Sequence, residues 1–211
     1  MSLPPLIVNG QVTTNKTMKK TIWIVIFSLV FVWFAIEPKD YLTWALEVLP
    51  AVGAVVILAY TRKTFPLTPL AYVLILVHAI ILMVGGHYTY AEVPFGDLLG
   101  TGRNNYDKIG HLAQGFIPAL LAREIFIRKS VVQSKKWLNF FVITTCLAIS
   151  AFYELIEWWV AELSGESAEA FLGTQGYLWD TQSDMAFALL GAILSLVCLY
   201  KIHDRQLQKV T

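Results

Sequence analysis

Six long apolar runs constrain this chain more than any other feature, because each approaches the length needed to cross a lipid bilayer. They cover residues 22–36, 41–60, 70–84, 109–127, 137–163 and 182–200. A membrane-spanning helix needs about 20 mainly apolar residues, so the first run requires extension by neighbours such as Thr21 or a thinner bilayer. Only 15% of the 211 residues are charged, against roughly 25% in soluble domains. The pattern predicts an all-α integral membrane protein with about six transmembrane helices.

The two ends of the chain differ from this apolar middle. The N-terminal segment is polar and rich in turn-forming residues, with Pro4, Pro5, Asn9 and Gly10, which is typical of a poorly ordered tail. We therefore predict a flexible N-terminal tail over residues 1–20, a single six-helix transmembrane domain over residues 21–201, and a C-terminal tail over residues 202–211.

The basic residues between the apolar runs predict the orientation, because Lys and Arg in short loops stay on the cytoplasmic side. The side opposite the N-terminus carries only Lys39, Arg103 and Lys108. The N-terminal side carries the larger group, which is Lys16, Lys19, Lys20, Arg62, Lys63, Arg128, Lys129, Lys135, Lys136, Lys201, Arg205 and Lys209. Both tails are therefore predicted to be cytoplasmic. These charges form no single basic face, so the expected partner is the lipid bilayer and not a nucleic acid.

The fourth apolar run begins with a carboxylate and an imidazole four residues apart, Asp107 and His111. On a helix this spacing places both side chains on one face, about 6 Å apart along the axis. With both tails inside, three helices bring polar residues to one outer layer of the membrane. The predicted cluster is His111, Glu154, Glu157 and Asp184, and Asp107, Asp180 and His87 lie at the outer ends of their helices.

Carboxylates at membrane depth are costly, about 2.5 to 3.5 kcal/mol each near the bilayer centre and less near its surface. Several of them at one level must be paired, protonated or bound to a metal. The sequence therefore predicts an acid/base site or a divalent metal site that opens to the outer face. Oxygen ligands with imidazole suit zinc, manganese or magnesium equally well. An ordinary alternative remains open for Asp107 and Asp180, which near the surface are favourable charges at helix N-termini.

Two outer loops supply candidate substrate-binding residues. Residues 85–106 contain Arg103, whose guanidinium is suited to a phosphate or carboxylate head group, although pairing with Asp97 or Asp107 is the more ordinary interpretation. The second loop contains Gln175, which could orient ligands of the site. Gln114 and Tyr153 lie close to the predicted cluster along their helices. Neither loop contains a GxSxG motif or a phosphate-binding GxxxxGK motif.

Four sequence blocks resemble the YjdF-type family of bacterial inner-membrane proteins. They are HYTYAEVPFG, RNNYDKIGHLAQGFIPALLAREI, YELIEWW and FLGTQGYLWDTQSDMAFALLGAI. The similarity extends over about residues 20–200. It implies a multi-pass protein of the bacterial cytoplasmic membrane, and it supplies no reaction.

A weaker resemblance is to the VanZ-like family, which is associated with glycopeptide resistance and the cell envelope. Its Asp-Lys-x-x-His helix opening matches Asp107, Lys108 and His111. Its later Glu matches Glu154 or Glu157, and its final Asp and helix glycine match Asp184 and Gly191. The chain departs from that pattern at Ala188, where the VanZ-like family has Asn. The resemblance implies a shared helix arrangement more than a shared substrate.

Two classes of function remain open from the sequence. The first is a membrane-embedded enzyme, metal-dependent or acid/base, acting at the outer leaflet on a lipid or lipid-linked cell-envelope substrate. The second is a non-enzymatic transporter or envelope accessory protein that uses the cluster as an ion or proton site. A transporter needs polar residues that continue to the cytoplasmic side, and the inner halves of the last three runs offer few. The sequence does not determine the oligomeric state.

Overall fold

The chain forms a bundle of helices, as the apolar runs predict. A computed structural model describes residues 9–97, 100, 102–164 and 175–210, with side chains from Lys20 onward. Within these residues it contains six α-helices: α1 Asn9–Ala35, α2 Tyr41–Thr61, α3 Pro69–His87, α4 Tyr106–Arg128, α5 Lys135–Ser164 and α6 Asp180–Leu207. The all-α prediction is confirmed. The predicted domain boundaries at residues 20 and 202 lie inside α1 and α6, because both helices continue beyond the apolar runs.

Four of these helices are long and apolar enough to cross a membrane: α2, α3, α6 and residues Lys135–Leu163 of α5. The apolar part of α1, Lys20–Ala35, is shorter. Helix α4 is less apolar because it carries Asp107, Lys108, Arg123 and Glu124, which are all buried. Its charges therefore lie inside the bundle.

Helix α4 is the centre of the bundle and packs against α3, α5 and α6. Its closest neighbour is α6, because glycine lies where the two backbones meet. A Cβ atom on Gly115 would overlap the backbone carbonyl of Ala188, and a Cβ atom on Gly191 would overlap that of Leu112. Small residues allow such close approach between membrane helices. This contact between α4 and α6, which we call the seam, therefore sets the position of Asp184 along α6 relative to that of His111 along α4.

The apolar core is divided into two parts. One part joins α2 to α3 through Val48, Ala51, Ala79 and Met83, with α1 packed against it. The other part joins α4, α5 and α6 through the buried residues Ala119, Ala122, Leu138, Val142, Cys146 and Ala192. Contact between α3 and α4 connects them. Helices α2 and α5 thus belong to different halves of the bundle.

Candidate functional site

Six buried charged or titratable residues meet at the end of the bundle where α4 and α6 begin. We call them the His111 cluster: Asp107, Lys108, His111, Glu154, Asp180 and Asp184, each less than one-tenth exposed. Helix α4 contributes Lys108 and, one turn apart, Asp107 and His111. Helix α6 contributes Asp180 and Asp184 with the same spacing, because residues four apart share a helix face. Glu154 is contributed by α5. Three helices therefore contribute side chains to one buried polar cluster.

Asp107, His111 and Asp184 form the centre of this cluster. His111 Nε2 lies 3.3 Å from Asp107 Oδ1 and 3.9 Å from Asp184 Oδ2, and Nδ1 lies 3.8 Å from Glu154 Oε1. His111 Nδ1 is also 3.1 Å from Gln114 Oε1. One ligand atom from each of Asp107, His111 and Asp184 falls within 4.8 Å of the others. This is a spacing at which a single cation could bind all three.

Two basic side chains neutralise the α6 side of the cluster. Lys108 Nζ lies 2.5 Å from Asp184 Oδ1, 2.8 Å from Asp180 Oδ1 and 3.6 Å from Asp107 Oδ2. Arg103 Nη2 donates to Asp180 at 2.5 Å, and its guanidinium lies over the ring of Tyr177. Charge-assisted hydrogen bonds of this kind are the strong ones. Asp180 Oδ1 consequently accepts from both basic side chains, whereas Asp184 keeps its Oδ2 directed towards His111.

Two carboxylate oxygens of the cluster are buried without a hydrogen-bond partner. They are Asp107 Oδ2 and Glu154 Oε1. Leaving a buried acceptor unsatisfied costs about 1 to 3 kcal/mol, and more when it is charged. Both atoms belong to residues in contact with His111. An additional cation or proton at this site would give these two oxygens the partner that they lack.

A cavity of about 250 Å³ begins at this cluster and extends among α2, α3, α4 and α5. One end is polar and includes Glu47, His111, Tyr153 and Glu157. The rest is mainly apolar and includes residues from all four helices, among them Pro50, Ala54, Ile75, Ala79, Leu82, Ile117, Pro118, Leu121 and Ile149. A concave apolar chamber with a few convergent polar groups is the usual form of a small-molecule site.

Glu47 forms the α2 side of the polar end. It is only 3% exposed, and Tyr153 donates a hydrogen bond to its Oε2 at 3.2 Å. Tyr90 also lines the cavity from the loop that follows α3. Thr89 and Tyr90 both have positive φ angles, 54° and 56°, which is uncommon for residues other than glycine. The loop thus adopts an unfavourable backbone conformation where it turns Tyr90 into the bundle.

Comparison with known proteins agrees with this architecture. The family model described as "Predicted membrane protein (DUF2238)" matches residues 19–205. This chain belongs to that family. The inner membrane protein YjdF of Escherichia coli (strain K12) is 49% identical over 212 residues, which cover 99% of this chain and 96% of the relative. No solved structure matches the chain. The predicted membership of a YjdF-type family and the inner-membrane location are confirmed.

Most of the sequence-predicted residues of this DUF2238 protein lie at one site. His111, Glu154, Asp184, Asp107 and Asp180 form the cluster, and Glu157, Gln114 and Tyr153 line the cavity beside it. Asp107, in the first turn of α4, is only 8% exposed. Asp180 also does more than begin a helix, since it binds two basic side chains. Arg103 pairs with Asp180, a partner that the sequence did not predict.

Two predicted residues lie apart from the cluster. His87 Nδ1 is 3.1 Å from the carbonyl oxygen of Phe34, and its ring packs against Phe34 and Tyr88. Gln175 is exposed and bonds the backbone of Asn104 through both ends of its amide. His87 therefore joins α1 to α3, and Gln175 joins the two loops. Neither side chain contacts His111, although His87 was predicted to lie at the same level and Gln175 in a loop above it.

Sequence reasoning missed two members of the site. Lys108 was counted among the loop charges, although it is buried against Asp184. Glu47 lies about two turns inside the second apolar run but is not among the residues predicted for the site. Such a residue inside a membrane helix is a functional candidate by default, so that signal was present in the sequence.

A second buried polar network lies at the opposite end of the bundle. Glu124 and His203 are fully buried, and Arg123 is 6% exposed. The Glu124 carboxylate accepts hydrogen bonds from Thr68, in the backbone and the side chain, and from Arg128, and it lies 3.2 Å from His203 Nε2. Arg123 contacts His203 and donates to Asp204. The network joins the ends of three helices, α3, α4 and α6.

Replacement of Lys108 is expected to destabilise the protein. A Lys108→Met variant leaves Asp180 and Asp184 in the bundle without their shared ammonium group. Removing one partner of a buried ion pair costs about 3 to 5 kcal/mol, so we expect a clearly lower thermal unfolding temperature in detergent. Lys39→Met is the matched control, because the Lys39–Glu92 pair is about half exposed. An equal effect of both variants would show that Lys108 does not hold the cluster together.

Proposed function

We propose that this protein is a membrane-embedded enzyme that depends on a divalent cation and acts on a lipid or lipid-linked substrate of the cell envelope. The observation that carries this proposal is the cavity, which joins a carboxylate-rich cluster with unsatisfied buried oxygens to an apolar chamber. A soluble substrate would not need the apolar part. A purely structural cluster would not need a cavity beside it.

The charge balance of the site supports a cation. Glu47, Glu157 and the four acidic residues of the His111 cluster are buried together, and Lys108 and Arg103 are the permanent cations that contact them among the described residues. Isolated ionised carboxylates in an apolar medium are very unfavourable. Protonation of some groups, including His111, or a bound metal ion must therefore offset the excess negative charge.

The residues suited to hold such an ion are Asp107, His111 and Asp184. Their oxygen and nitrogen donors fit zinc, manganese or magnesium, and an ion bound there would act as a Lewis acid and lower the pKa of a bound water. Asp107 Oδ2 and Glu154 Oε1 lie beside it and accept no hydrogen bond. Glu157 faces the cavity, where it is positioned to transfer a proton to or from a substrate.

The proposal also includes the membrane topology of the six helices. We infer that α1 and α4 cross the membrane together with the four apolar helices, and that both termini are cytoplasmic. The distribution of Lys and Arg supports this orientation. The burial of the α4 charges supports a span in which the surrounding helices shield the charges from lipid. The His111 cluster then faces the outer side, and the substrate would come from the outer leaflet.

A transporter is the second candidate, because the Glu124 network provides polar groups at the far end of the bundle. A transport path along α4 and α6 would have to pass the seam at Gly115 and Gly191, where the two backbones leave no room even for a Cβ atom. The cavity instead extends along α2 and α3. The closed seam favours a site that opens to one side, and therefore the enzyme.

Metal analysis tests the proposal. Protein purified in metal-free detergent, briefly loaded and then desalted, is expected to retain near-stoichiometric zinc, manganese or magnesium. His111→Ala and Asp184→Asn are expected to lose this metal, because each removes a donor of the central triad. His87→Ala is the control, since His87 lies at a similar depth but outside the cluster. Wild-type protein that is folded and binds none of the three metals would overturn the metal-dependent function.

A further inference from the structure

We propose that one hydrocarbon chain of the substrate enters the cavity directly from the bilayer, between α2 and α5, and that the substrate's head carries a positive charge. This inference rests on the proposed function and deepens it, because it names the route and the class of the substrate. It is argued from the position of the cavity, from its size and from the charges that line it.

The position of the cavity indicates a lateral opening. Helix α2 packs on α3, while α5 packs on α4 and α6, and α2 and α5 make no extensive contact within the described residues. Pro50 of α2 and Ile149 of α5 both line the cavity, yet both are exposed on the surface of the bundle. At the polar end, the hydrogen bond from Tyr153 to Glu47 joins the same two helices. The gap below that bond therefore opens towards lipid.

The size of the cavity limits what can enter. At roughly 30 Å³ for a water-sized group, a volume of about 250 Å³ holds about eight heavy atoms. Glu47 and Ala54 both line it, and positions 47 and 54 are about 10 Å apart along α2. This space suits a segment of a single aliphatic chain. A two-chain lipid would leave its second chain in the bilayer.

The charges of the polar end determine which head group is favoured. Glu47 and Glu157, which are not donors of the proposed metal triad, line the cavity, and its lining includes His78 and His111 but no Lys or Arg. Lys108 and Arg103 make their shortest ion pairs with Asp180 and Asp184, which do not line this chamber. Charge complementarity therefore favours a cationic head, such as an amine, over a carboxylate head.

Binding of two matched single-chain probes tests this inference. Hexadecylamine and palmitic acid share a chain length and differ in head charge. After incubation in nanodiscs and repurification, native mass spectrometry is expected to show hexadecylamine retained at least tenfold more than palmitic acid. Ala54→Trp should reduce that retention at least tenfold, because an indole fills the apolar part of the cavity. Val56→Trp is the control on the same helix, since Val56 is 48% exposed and does not line the cavity.

Each outcome bears on a separate part of the inference. Equal retention by wild type and Ala54→Trp overturns the chain site, and preferential retention of palmitic acid overturns the cationic head. If Ala54→Trp does not fold, Ala54→Leu replaces it as a smaller filling residue. Metal loading of Ala54→Trp should equal that of the wild type, because Ala54 is remote from the triad. Chain binding without any metal in the wild type would therefore leave this inference standing and overturn only the proposed metal dependence.

Discussion

A Gly115→Val variant is expected to lose most of its stability and its metal site together. The added Cβ atom would overlap the backbone carbonyl of Ala188, and a backbone group cannot rotate away as a side chain can. Helices α4 and α6 must then separate, which we expect to cost about 3 kcal/mol or more, at or beyond the upper end of ordinary overpacking. Thermal unfolding in detergent and metal content measure the two effects.

Gly53→Val is the matched control for this variant. Gly53 lies inside α2, and a Cβ atom there meets nothing within 4 Å. We expect an unfolding temperature close to that of the wild type and unchanged metal loading. Wild-type stability of Gly115→Val would contradict the close approach of α4 and α6, and with it the argument that their seam is closed to transport.

A Glu124→Ala variant is expected to be destabilised by a comparable amount for an electrostatic reason. The carboxylate is fully buried and bonds Thr68 and Arg128 beside His203. Its removal leaves the Arg128 guanidinium and the Thr68 groups without their acceptor. Breaking a buried pair in this way costs about 3 to 5 kcal/mol. The apparent free energy of unfolding, from a denaturant titration in mixed detergent, measures the loss.

The control for Glu124→Ala is Glu92→Ala. Glu92 also pairs with a basic residue, but the Lys39–Glu92 pair is about half exposed, and such surface pairs often contribute nothing measurable. We expect no resolved change in this control. If Glu124→Ala were equally harmless, the Glu124 network would be a solvated helix end and not a link between helices.

The convergence of the site could be predicted from the sequence because it depends on depth alone. Once the apolar runs and the basic loops assign a direction to each helix, the distance of His111, Glu154 and Asp184 from their helix ends follows from the helical rise. The same reasoning included His87, which lies at a similar level but packs against Phe34. Depth does not specify which way a side chain points around its helix.

The other differences between prediction and structure concern which way a side chain points around its helix and which residue on another helix it contacts. Lys108 precedes the apolar run and has the pattern of a loop charge, but α4 begins at Tyr106, so Lys108 already lies on the helix and reaches Asp180 and Asp184. Arg123 and Glu124 have the pattern of a local pair. Glu124 does pair locally with Arg128, and Arg123 and Glu124 also contact His203 and Thr68, because α6 extends to Leu207 and α3 begins beside them. None of these contacts follows from the order of residues within one helix.

The sequence alone determined the helical membrane class, the family and the layer at which the acidic residues and His111 meet. These properties depend on hydrophobic length, on motif identity and on helical rise, which are local along the chain. Only the tertiary structure decided that α4 is central, that Asp107 is buried, and that a cavity lies among α2, α3, α4 and α5. Those features depend on which helix faces pack together, as α4 and α6 do where Gly115 and Gly191 allow two backbones to touch.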